Sequence, residues 1–104
     1  MTPDAKARKD TPIYSGVRVY FPDALAEVAR VSFTGNEQHN PGSPLHWDRS
    51  KSGDELDSLD RHLTDRAKGE VFDKDGERHL AKVVWRGLAA LQKEIEDERT
   101  HNAD

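Results

Sequence analysis

Between Arg78 and Glu98, Leu80, Val84, Leu88, Leu91 and Ile95 recur at the three- and four-residue spacing of one helical face. This stripe constrains the fold most, because an apolar face sustained over about four helical turns has to lie against another apolar surface. Gly87 sits within the face and costs about 1 kcal/mol against alanine, which suggests close approach by another backbone. Leu56, Leu59 and Leu63 form a matching face on a preceding helix. Ser52 and Glu55 read as its capping box, and Gly69 as its stop. The segment "EVFDKDGERH" between the two is a turn with Asp75-Gly76 at its tip.

Upstream, Pro22 opens a further helix. Leu25, Val28 and Ser32, with Ala24 and Val31, give it a short apolar stripe, and Gly35 is its expected end. In "GVRVYF" Val17, Val19 and Phe21 alternate with Arg18 and Tyr20, the periodicity of a strand. Residues 1–12 are polar, mixed in charge and carry two prolines, so they read as a flexible arm; residues 99–104 read as a frayed tail. The expected fold is all-α. It is a small bundle of about three helices, with an extended N-terminal segment and a long loop between helices 1 and 2. Residues 13–98 then form a single helical domain.

The chain has 104 residues, of which 34% are hydrophobic and 35% charged. That is a thin core for a domain burying only about two-thirds of its unfolded surface, and it points to completion by homo-oligomerisation. A net charge of −4 gives no general footprint for duplex nucleic acid. With no cysteine, disulfides and thiolate metal sites are excluded. No apolar run reaches membrane-spanning length. The expectation is a cytoplasmic protein with neither a membrane nor duplex nucleic acid as partner.

The loop "GNEQHNPGSPLHWDR" carries His39, His46, Trp47 and Arg49 within eleven residues, an unusual load for a polar connector. By helical spacing, His79, Lys82 and Arg86 share one stripe beside the apolar face of the last helix. Glu55, His62 and Arg66 share one flank of the leucine face before it. If the two helices pack antiparallel, these stripes meet and the loop can cover them as a lid over a basic pocket. Taken singly, such residues are more often solvated, snorkelling side chains. Their convergence gives guanidinium and ammonium donors for phosphate and flat rings for a base, so the natural ligand class is a nucleotide.

Neither phosphate-cradling glycine motif is present, and "DKDG" lacks the later ligands of a calcium loop. Glu94 and Asp97, and Asp57 and Asp60, are more simply exposed helix faces than a magnesium cluster. A metal site from His39, His46, His62 and His79 matches no finger spacing and lacks evident acidic companions. No metal or other cofactor is therefore assigned, and magnesium or manganese would be needed only by a hydrolase.

The segments "GNEQHNPGSPLHWDR", "LDRHL" and "DGERHLAKVVWRGLAALQKEIE" together resemble a phage-associated family, the N-terminal domain of dATP/dGTP diphosphohydrolases, over about residues 16–97. The resemblance implies an all-helical domain linked to purine nucleotides. Its signature falls here on His39, Asn40, His46, Trp47, Arg61, His62, Asp75, His79, Lys82, Trp85 and Arg86. Two functions follow. One is a binding protein that captures a purine nucleotide or a nucleotide-derived host immune signal. The other is a dATP/dGTP diphosphohydrolase. The missing acidic cluster favours binding.

Overall fold

A computed structural model describes residues 3–51 and 53–103, so the expected capping residue Ser52 lies outside the described residues, as do residues 1, 2 and 104. Four α-helices run Pro3–Lys9 (α1), Pro22–His39 (α2), Glu55–Ala67 (α3) and His79–Ala103 (α4). One π-helical turn, Tyr14–Arg18, lies between α1 and α2, and a short 3-10 turn, Arg49–Lys51, precedes α3. Among the described residues the only strand-like pairing is an isolated bridge between Phe72 and Arg78. The all-α class is thus as expected. No helix among the described residues is long and apolar enough to cross a membrane.

One local expectation is corrected. The segment read as a strand is helical: Val19 N–H donates to Tyr14 O at 2.8 Å and Phe21 N–H to Val17 O at 3.0 Å. A lone strand leaves its backbone groups unpaired, whereas a helical turn satisfies them locally. Within the N-terminal arm lies α1, and α4 continues to Ala103, with Thr100 Oγ1 donating to Glu96 O.

The first long helix also passes through Gly35 and ends at His39. A glycine ends a helix by adopting positive φ, and the glycines that do so are Gly42, Gly69 and Gly76. Gly69 closes α3 and Gly76 sits at the turn tip, both as the sequence suggests. At the start of α3 the N-cap is Asp54, without a side-chain cap bond. Glu55 does not reach back to cap the helix; it turns inward to Arg86 and Lys93.

Both α3 and α2 pack against α4. The interior between them is not the expected leucine core. The buried apolar residues are Val28, Ala81 and Ala89, whereas the buried polar ones are Asn36, Glu55, Ser58, Glu77 and His79. Leu63, Leu80, Val84, Leu88 and Leu91 are about half exposed and Leu56 is 67% exposed. The radius of gyration is 16.2 Å, against about 13 Å for a compact chain of this length. The chain by itself is open, with its apolar stripe turned outward.

Gly87 has a narrower role than expected. It faces a side chain of α3, since a Cβ added there would sit 3.6 Å from Leu59 Cδ1, an ordinary contact. Gly87→Ala should therefore stabilise the fold by about 1 kcal/mol. In thermal denaturation the melting temperature should rise by about 4–8 °C; a fall would mean that another surface packs on Gly87.

Candidate functional site

The C-terminal half of α2, the loop after it, and the facing surfaces of α3 and α4 enclose a cleft of about 300 Å³. That size is at the lower end of small-ligand pockets. Of the eleven signature residues and Arg66, nine line it: His39, Asn40, His46, Trp47, His62, Asp75, Lys82, Trp85 and Arg86. The other three do not. His79 lies behind His62, 1% exposed, with its Nδ1 3.0 Å from His62 Nδ1. Arg61 pairs at the surface with Asp54 at 3.1 Å. Arg66, one turn beyond His62, is outside the lining.

The loop is pinned rather than loose. Asn36, buried near the end of α2, donates from Nδ2 to Ser43 O at 3.1 Å. Arg49 ion-pairs with Glu96 on α4, and its guanidinium lies 4.4 Å from the Trp47 ring centre. Trp47 meets Trp85 edge to face, with centroids 5.7 Å apart and planes at 78°. Trp85 Nε1 donates to Ser32 Oγ at 2.7 Å. With Arg49 covering Trp47 and the two indoles crossed, the pair is a rigid apolar wall rather than a free stacking platform.

Two buried polar atoms of lining residues lack a protein partner: Asn36 Oδ1, an acceptor, and Trp47 Nε1, a donor. Asn36 presents its oxygen because its amide nitrogen is committed to the Ser43 carbonyl. Unsatisfied buried groups cost about 1–3 kcal/mol each.

The basic stripe proves largely neutralised. Lys82 Nζ donates to Asp73 Oδ2 and Asp75 Oδ2, each at 2.7 Å. Burial works against charge on all three groups. The two hydrogen bonds and opposite charges outweigh it, so the Lys82 pKa is raised and both Asp pKa values are lowered. His62 is pushed below its ordinary value, first by burial and then by the charge of Lys82. Arg86 Nη1 reaches Glu55 Oε1 at only 3.5 Å, leaving most of its fork free for a ligand.

Asn36 and Asp73 escape the sequence reading: Gly35 reads as a helix end, which leaves Asn36 in a loop, and Asp73 reads as part of a plain turn. Glu55 is legible on the flank it shares with His62, although not as the inward partner of Arg86 and Lys93. The spacing Ser32, Asn36 is i, i+4 on one helical face, and that signal pointed to their common side.

Fold and site define an all-α domain whose polar interior opens into a small, aromatic-walled cleft. The chain belongs to the family described as dATP/dGTP diphosphohydrolase, N-terminal, whose match spans residues 2–103. No curated protein and no solved structure matches it.

Removing Lys82 tests the site's electrostatics. Lys82→Met leaves two half-buried carboxylates facing each other without their cation and should cost on the order of 3 kcal/mol at pH 7. In the parent, Asp73 and Asp75 titrate below their ordinary 3.8 when folded. Their contribution is complete above that value and is lost as pH falls through the lower folded values. The stability gap between parent and variant in urea should hold from pH 7 down to about 4 and narrow as pH falls further through the lower folded values; a gap that stays constant down to about pH 2 would refute the assignment.

Proposed function

We propose that the cleft binds a purine nucleotide or a nucleotide-derived signal and holds it without turning it over. The observation that carries this reading is a cleft walled by crossed indoles, two of whose lining residues, Asn36 and Trp47, each keep an unpaired polar atom. A purine edge offers donors and acceptors side by side, and its faces suit an aromatic wall. Arg86 would take a phosphate with its free donors, and His39 and His46 stand exposed at the rim. With Lys82 committed to two carboxylates, the site suits a ligand of low phosphate charge better than a triphosphate. Capture of an immune signalling nucleotide, as the resemblance to a phage-associated family suggests, is the specific form this function would take.

Hydrolysis held by magnesium fits less well. Asp73 and Asp75 are bridged by Lys82, and Glu55 is held by Arg86 and Lys93. Glu77 is tied to Arg30 and Thr34. Magnesium needs several hard oxygen ligands converging on one point, and neither candidate metal cluster among the described residues has more than two carboxylates.

Incubation with a nucleotide panel, followed by denaturation and mass spectrometry, separates the two functions: intact ligand supports capture, a monophosphate product supports the diphosphohydrolase. Trp47→Phe keeps the wall and removes the donor, so affinity should fall by about 1–2 kcal/mol, roughly tenfold or more. Arg86→Ala should cost about 1.5–3 kcal/mol. If calorimetry gives both variants the parent's affinity, the ligand binds elsewhere.

We also propose that the outward leucine stripe joins two copies of the chain. The stripe runs along α3 and α4, so apposing it with itself about a two-fold axis would form a four-helix contact. Among the described residues, three small buried apolar side chains are too few to stabilise a domain of this length alone. Sedimentation at micromolar concentration should show a dimer or larger assembly, and Leu88→Asp should dissociate it. A parent that stays monomeric and melts independently of concentration would rule this out.

A further inference from the structure

His62 and His79 approach each other through the same ring atom, Nδ1 to Nδ1 at 3.0 Å. Asp73 Oδ2 lies 3.9 Å from His62 Nδ1. One ligand atom from each of the three groups falls within a 4.8 Å cluster. We propose that His62, His79 and Asp73 form a binding site for a first-row divalent cation of the zinc or cobalt class.

The spacing suits the chemistry. Zinc–imidazole bonds of about 2.0–2.1 Å place two ligating nitrogens roughly 3.3–3.4 Å apart at the tetrahedral angle, so on binding the ring nitrogens would part slightly from 3.0 Å and Asp73 would close in from 3.9 Å. A direct hydrogen bond between the rings would require one Nδ1 to carry a proton and the other to lack it. An ion is bound by both lone pairs at once. Two imidazoles and one carboxylate select zinc, cobalt, iron or nickel over magnesium.

The surroundings of His79 support the same arrangement independently. Its other nitrogen, Nε2, lies 3.7 Å from Glu70 Oε2, and a carboxylate there favours the tautomer protonated on Nε2. That leaves the Nδ1 lone pair aimed at the site, as metal-ligating histidines are commonly oriented by a carboxylate. Lys82 competes for Asp73 Oδ2, but it also holds Asp75 Oδ2 at 2.7 Å and keeps that partner when an ion draws on Asp73.

The three ligands come from α3, the turn and the first turn of α4, so an ion would clamp the turn to both helices. His62 lines the cleft, and the ion's remaining positions would face it. The site stands on its own ligands, whether or not a nucleotide occupies the cleft.

Cobalt(II) titrated into chelator-treated protein, without nucleotide, tests the proposal. Expected are saturable visible ligand-field bands at one ion per chain, displaced by zinc. In nitrogen-15 spectra of the parent, zinc should shift the ring signals of His62 and His79 and leave those of His39, His46 and His101 in place. His62→Gln should abolish binding, and Glu70→Gln should weaken it by about 10- to 100-fold. Absence of saturable bands, shifts confined to the other histidines, or parent affinity in His62→Gln would each overturn it. The spectra of the parent decide the matter even if substitution of the buried His79 prevents folding.

Discussion

Two buried carboxylates hold the helices in place. Glu55, 6% exposed, ties α3 to α4 through Arg86 and Lys93 at 3.5 and 3.0 Å. Glu77, 2% exposed, ties the start of α4 to α2 by accepting from Arg30 Nη2 at 3.3 Å and Thr34 Oγ1 at 3.2 Å. Charges taken out of water recover their desolvation cost only in good geometry, so such ties add little net stability. What they supply is register. A helix that slid by one turn would strand a charge in the interior, at a cost of about 3–5 kcal/mol.

That polar interior explains the remaining features. Because the faces joining α2, α3 and α4 are polar, the leucine stripe is left on the outside. Because the interior carries charge, it opens into a cleft instead of closing into a core. Lys82 between Asp73 and Asp75, Trp85 on Ser32, and the paired rings of His62 and His79 belong to one hydrogen-bonded lining. The loop over it is held by Asn36 and by the Arg49–Glu96 pair, which gives the cleft a preorganised wall and lowers the ordering cost of binding.

The family's description is nucleotide-related, and under the proposed function the geometry suggests how such a ligand would be read. The cleft is nearly balanced in charge, with Lys51, Lys82 and Arg86 against Asp48 and Asp75. Recognition would rest on the planar edge and the aromatic wall more than on phosphate attraction. The histidine pair lies at the back of the same cleft, where an ion would join the ligand's chemistry to the fold's own junction of α3, turn and α4.

The sequence by itself determined the helical class, the stop at Gly69, the turn at Gly76 and most of the cleft's residues. Helical spacing puts His62, Lys82 and Arg86 on definite faces, and positive-φ turns need glycine; both are local rules. Only the tertiary structure decided which face turned inward. A leucine stripe and the polar stripe beside it are equally periodic, and the preference between them depends on where Glu55 and Glu77 find their cations, at separations of 31 to 47 residues. The same long-range pairing carried α2 through Gly35 and brought Asn36 into the cleft. Contacts across the turn, 7 and 9 residues apart, took Lys82 out of the free basic set. Local propensity holds no information about the longer pairings, because the energy that selects them comes from contacts between segments distant in the chain.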